Sequence, residues 1–189
     1  MSSYYANIGS SDGTRDPVDR YETPDSVTEA LLSRVGLYLP DHVREPACGT
    51  GRMTRVLERY GHEVHATDLV EDGLDFLDET EGCEAVVTNP PYRNGLALAF
   101  LKKALEVTDD GPVALLVRLG FLGTQERGSF LADHRPSGLI FISRRILFYK
   151  ADGTRISGQA HDHCWAIWNV PMDHQVDFAL PEELHDASR

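Results

Sequence analysis

No stretch of this chain stays apolar for the roughly 20 residues that a bilayer crossing needs. Residues 1–20 lack the apolar core of an export signal, so nothing marks the chain for secretion. Cysteine is scarce: Cys48, Cys83 and Cys164 lie far apart and form no C-x-x-C pair. That spacing speaks against a disulfide framework and against a zinc cage, and fits reduced thiols in a cytoplasm. Positive charge is also in short supply, with 18 Lys and Arg against 30 Asp and Glu and a formal net charge of -12. A broad basic surface for unspecific DNA binding is therefore excluded, although a local basic groove is not.

What is present is an ordinary globular composition, 41% hydrophobic and 25% charged, in a length suited to one core. Residues 1–20 read as a flexible polar arm and residues 21–172 as the folded domain. Residues 173–189 read as a solvated tail carrying Asp173, Asp177, Glu182, Glu183 and Asp186. The first helix is expected from Thr23-Pro24-Asp25, with Thr23 as N-cap and Pro24 at the first helical position. Val27, Leu31, Leu32 and Val35 then recur at helical spacing. Strands are expected at 42–45, 63–68, 85–88, 112–119, 139–143 and 165–170, with helices from Met53, Leu96 and Gln125 between them. Strands alternating with helices predict an α/β fold with a mainly parallel central sheet and helices on both faces. Trp165 and Trp168 are expected to pack in the core and at its edge.

Three loops at successive strand ends carry the chemistry, where open α/β sheets bind ligands. Glu45-Pro46-Ala47-Cys48-Gly49-Thr50-Gly51 has two glycines that let the backbone turn sharply and approach a ligand. It is not a phosphate loop, since no Gly-Lys-Ser/Thr follows. Glu45 suits a cationic amino group, and Cys48 reads as a small apolar filler because no base is placed beside it. Asp68, at the end of the next strand, can accept hydrogen bonds from two ribose hydroxyls. Asn89-Pro90-Pro91-Tyr92 is the most telling of the three. An amino nitrogen on a flat ring is a poor nucleophile because its lone pair is delocalised. The Asn89 oxygen and the Pro90 carbonyl can accept from such an amino group and pull it towards tetrahedral geometry. Pro90 and Pro91 hold those acceptors rigid, and Tyr92 offers a flat face.

Together these residues resemble the class I S-adenosylmethionine (SAM) dependent methyltransferases, in the amino-nitrogen branch that includes DNA adenine methyltransferases of small phage type. The resemblance covers roughly residues 20–170 and implies the Rossmann-like fold of that class, with SAM as cofactor. It implies that Tyr21, Thr23 and Pro24 close over the methionine part of SAM, and that Glu45, Pro46, Ala47, Cys48, Gly49 and Gly51 form the SAM loop. It further implies that Asp68, with Leu69 beside it, holds the ribose, that Asp75 and Phe76 hold the adenine, and that Asn89 borders the cofactor. Asn89, Pro90, Pro91 and Tyr92 match the catalytic motif.

The implied substrate is nucleic acid, in particular adenine in DNA. RNA adenine or a protein glutamine under the same chemistry, and a non-catalytic SAM- or nucleic-acid-binding module, are the alternatives. The 189 residues leave no room for a separate target-recognition domain. Recognition is expected from the loops Tyr92 to Leu96, Gly123 to Gly128 and Arg144 to His163, or from an accessory partner or second copy. Arg93, Arg144 and Arg145 are the foremost candidates for phosphate contact, followed by Arg127, Arg135, Lys150 and Arg155. His161-Asp162-His163-Cys164 reads as a loop entering the last strand rather than a metal site, because no second ligand pair is near. No metal and no membrane are expected.

Overall fold

The computed structural model describes residues 21–156 and 161–179. The expected arm (1–20), four residues of the connection after Arg144 (157–160) and the end of the expected tail (180–189) lie outside these. The elements run α1 (Asp25–Val35), β1 (His42–Glu45), α2 (Arg52–Arg59), β2 (Glu63–Ala66), β3 (Val86–Thr88), α3 (Leu96–Thr108), β4 (Val113–Arg118), α4 (Gln125–Asp133), β5 (Gly138–Ile142), β6 (His163–Trp168) and β7 (Val176–Ala179). Their order in the single sheet is β2-β1-β3-β4-β6-β5-β7. β1 pairs in parallel with β2 and β3, and β3 with β4. β6 runs antiparallel between β4 and β5, and β7 pairs in parallel with β5. Strand order reverses at β1, which opens a crevice at the carboxyl ends of β1, β2 and β3.

Period-two alternation divides the sheet between two cores. On β4, Ala114 and Leu116 enter the core under α1 and α2, while Val113, Leu115 and Val117 enter the core under α3. β6 divides likewise: Trp165 and Ile167 lie in the first core, Cys164, Ala166 and Trp168 in the second. Both indoles are buried with satisfied N–H groups, Trp165 donating to the Val27 carbonyl at 2.8 Å and Trp168 to that of His134 at 2.9 Å. Among the described residues, no helix is long and apolar enough to cross a membrane.

Several expectations need correction. Thr23 does not cap α1. Pro24 holds the N-cap position without a side-chain bond, and the Thr23 hydroxyl faces Asn89. β6 starts at His163 rather than at Trp165, because the antiparallel ladder pairs His163 with Arg118. The stretch expected to be solvated tail contains β7, whose Phe178 stacks on Phe141 of β5 at 5.4 Å. The connection after Arg144 is not wholly polar. Ile146 and Phe148 are fully buried, and Tyr149 bridges in antiparallel fashion to Glu22, pinning the segment before α1 to the sheet end.

Candidate active site

The crevice contains a cleft that is partly open to solvent. Its walls bring together Tyr21, Thr23, Glu45, Pro46, Ala47, Cys48, Gly49, Asp68, Leu69, Phe76, Asn89 and Pro91. Pro24, Gly51 and Asp75 do not line it. Glu22, Met53, Leu74 and Phe100 do, and sequence reasoning missed them. Glu22 stands between Tyr21 and Thr23, yet its partner is the glycine loop, 28 residues away.

Two acids organise that loop. Glu22 accepts from the Thr50 amide at 2.8 Å, and Asp68 accepts from the Gly49 amide at 3.0 Å. Gly49 and Gly51 adopt φ of +54° and +79°, in the left-handed region where a side chain is strained. A Cβ on Gly49 would also collide with the Glu22 carboxylate. The second Asp68 oxygen accepts from the Val70 amide at 2.8 Å. A carboxylate has about four lone-pair directions, so both oxygens keep capacity for further donors.

Glu45 is 1% exposed at the end of β1 and accepts from the Thr54 hydroxyl at 2.7 Å. Burial pushes its carboxyl up to about 8, against the Thr54 hydrogen bond, and the neighbouring Glu22 and Asp68 charges push the same way. The cleft thus gathers three acids, with no cation among the described residues that line it. Farther along, Asp75 accepts from the Leu77 amide at 3.0 Å with one oxygen, while the other is buried and unpartnered among the described residues. The rings of Phe76 and Phe100 pack against each other at 5.2 Å on the cleft wall. The arrangement suits a ligand with positive charge at one end, hydroxyls near Asp68 and a flat amino-bearing ring at the other. Burial first, then nearby acids, push the Cys48 thiol up to about 12, which favours the protonated form.

Asn89 lines the cleft next to Tyr92, which lines an outer groove. Its Nδ2 donates to the Tyr21 carbonyl and the Thr23 hydroxyl, both at 3.1 Å, which fixes the amide with Oδ1 turned away from them. Contrary to expectation, Oδ1 already has a donor, the Tyr92 hydroxyl at 2.5 Å. A half-buried phenol seeks an acceptor, and here it has two, the other being the Leu116 carbonyl at 3.1 Å. One Asn89 lone pair remains for an incoming N–H. Nor is the Tyr92 ring bare: the Arg118 guanidinium lies 4.5 Å from its centre. An outer groove lined by Tyr92, Ala97, Arg118, Phe121, Arg127 and Asp162 adjoins the motif. Arg93, Arg144 and Arg145 line neither cleft nor groove, and Pro90 is buried behind the loop. Among the described residues, no group of three or more potential metal ligands converges.

Sheet order, helices on both faces and the cleft at the strand ends define a Rossmann-like class I methyltransferase fold. Solved structures share it. A protein of Listeria monocytogenes, provisionally described as a class I SAM-dependent methyltransferase, is 18% identical with a TM-score of 0.55, over 88% of this chain and 68% of that one. The methyltransferase subunit of a type I restriction-modification system from Streptococcus thermophilus is 14% identical with a TM-score of 0.58, over 93% of this chain. This chain spans only 50% of that subunit. A protein of Pyrococcus horikoshii, provisionally described as an RNA methyltransferase, is 17% identical with a TM-score of 0.57, over 91% of this chain and 100% of that one. At these identities the likeness is one of fold. No protein-family model and no curated protein matches the chain.

Proposed function

We propose that this protein is a SAM-dependent methyltransferase acting on the exocyclic amino group of adenine in DNA. The observation that carries the reading is the position of Asn89: its amide is held rigid on the wall of an acid-rich cleft and keeps a lone pair for an acceptor nitrogen. Glu45 and Glu22 suit the amino-acid end of the cofactor, Asp68 its ribose, and Asp75 with Phe76 its adenine. When bound, SAM supplies a methyl group on a positively charged sulfur, which keeps the electron pair as the methyl leaves. The chain aligns and activates the other reactant. Asn89 Oδ1 and the Pro90 carbonyl accept the two amino hydrogens, so the nitrogen lone pair is freed along one direction. After transfer the nitrogen sheds one proton to solvent. An accessory partner or second copy supplies sequence recognition, in a cytoplasm that keeps the cysteines reduced.

The test is incubation with labelled SAM and, separately, DNA, RNA and whole-cell protein, followed by nucleoside mass analysis. N6-methyladenine in DNA is expected. Label in RNA alone moves the acceptor, and label in protein alone removes the nucleic-acid reading. Asn89→Ala is expected to lower transfer by about 10²-fold or more with SAM still bound. Asp68→Ala is expected mainly to weaken SAM affinity. Exchanged phenotypes would overturn the role assignment.

A further inference from the structure

Outside the cofactor cleft, a pair of basic side chains lies on the acceptor side of Tyr92. Arg118 ends β4, His163 begins β6, and the antiparallel register sets them opposite each other. His163 packs tilted against Tyr92 at 5.9 Å and edge-on to Phe148 at 5.2 Å. It is 1% exposed, and among the described residues neither ring nitrogen makes a well-formed hydrogen bond, although the His161 backbone lies close enough to act on the imidazole. The Arg118 Nε is likewise buried and unpartnered. Buried polar atoms are normally satisfied, and each one left unmade is a loss that an apolar ring in this slot would avoid. Burial and the Arg118 charge hold the imidazole neutral, down to about 4, against the opposing pull of the His161 carbonyl and Asp162. A neutral imidazole has one donor and one acceptor nitrogen.

We infer that Arg118 and His163 form a recognition edge for the acceptor heterocycle, with the Arg118 Nε–H and one imidazole N–H donating and the other imidazole nitrogen accepting. The inference rests on the reading of Asn89 as the seat of the acceptor nitrogen. The groove beside Tyr92 is the entrance, and Arg118 stands on its wall. Tyr92 covers His163. The imidazole is reached when Tyr92 gives up its hydrogen bonds to Asn89 Oδ1 and the Leu116 carbonyl and swings aside. Mixed donors and acceptors on a flat surface match the ring edge of a nucleobase. A glutamine side chain has no ring nitrogen to meet them.

The experiment uses the full chain and mixed-sequence DNA, with wild type, His163→Phe, His163→Gln, Arg118→Met and Asn89→Ala compared in parallel. SAM affinity is read by calorimetry, thermal midpoint by calorimetric scanning, and kcat/KM for DNA by methyl incorporation. His163→Phe is expected to melt no lower than wild type and to bind SAM unchanged, while kcat/KM for DNA falls about tenfold or more. His163→Gln, which keeps donor and acceptor capacity, is expected to recover part of the loss. Arg118→Met is expected to lower kcat/KM for DNA without changing SAM affinity. His163→Phe with full kcat/KM overturns the inference; should that variant fold poorly, full kcat/KM in Arg118→Met does so. If Asn89→Ala is inactive while the other variants keep full activity, only this inference falls. If Asn89→Ala stays active, or wild type makes no product on DNA, the underlying reading falls as well.

Discussion

At the scale of single residues, Glu45 carries the sharpest prediction. Its carboxyl has an ordinary value of 4.5 and is raised to about 8 in the folded chain. The folded state therefore holds this proton more tightly than the unfolded state. The stability it contributes is complete below about pH 4.5 and is lost as pH rises through about 8. Glu45→Gln removes that dependence. Urea midpoints at pH 5 and pH 9 should show wild type losing on the order of a few kcal/mol more than the variant. A bound cation reverses the balance by favouring the carboxylate. SAM titrated near pH 7 in buffers of different ionisation enthalpy should release protons from wild type and fewer from Glu45→Gln. Gly49→Ala is expected to weaken SAM binding, because a methyl there meets the Glu22 carboxylate at a backbone angle that disfavours side chains.

At the scale of elements, β6 ties the two cores together and joins the sheet to α1 through the Trp165 indole. Trp165→Ala should lower unfolding free energy by roughly 3–5 kcal/mol, and Trp165→Phe by about 1–2 kcal/mol for the lost hydrogen bond and area. Denaturant unfolding measures both. Most elements were legible locally: the runs at 85–88 and 112–119 form strands at Val86–Thr88 and Val113–Arg118, and the helical spacing after Thr23 forms α1. The failures share a cause. Thr23 has the chemistry of a helix cap, but its hydroxyl is claimed by Asn89, 66 residues away. His163 stands among polar neighbours, yet the ladder with Arg118 draws it into a strand. β7 is short, with Val176 and Phe178 exposed, and only its pairing with β5 makes it a strand. The candidate site divides the same way. Asn89, Asp68 and the glycine loop announce themselves by type and order, whereas Glu22, Phe100, Arg118 and His163 are recruited by contacts that no local window contains.

At the scale of the whole molecule, an excess of 12 negative charges limits how many phosphates the surface can hold. Transfer to DNA should accordingly fall only gently with added salt, and Arg127→Gln should make the slope of log kcat/KM against log salt shallower by about one. The Arg127 guanidinium, braced on Thr124 at 2.7 Å and lying over Phe121 at 5.4 Å, faces the outer groove. The Asn89 side chain has a consequence of another kind. Its nitrogen is fastened to Tyr21 and Thr23 on one side, and its oxygen accepts from Tyr92 on the other, where the proposed reaction places the methyl acceptor. On the proposed reading, one planar group thus borders both ligands. Thermodynamic reciprocity then binds them: by whatever factor SAM sharpens affinity for the methyl acceptor, the acceptor sharpens affinity for SAM.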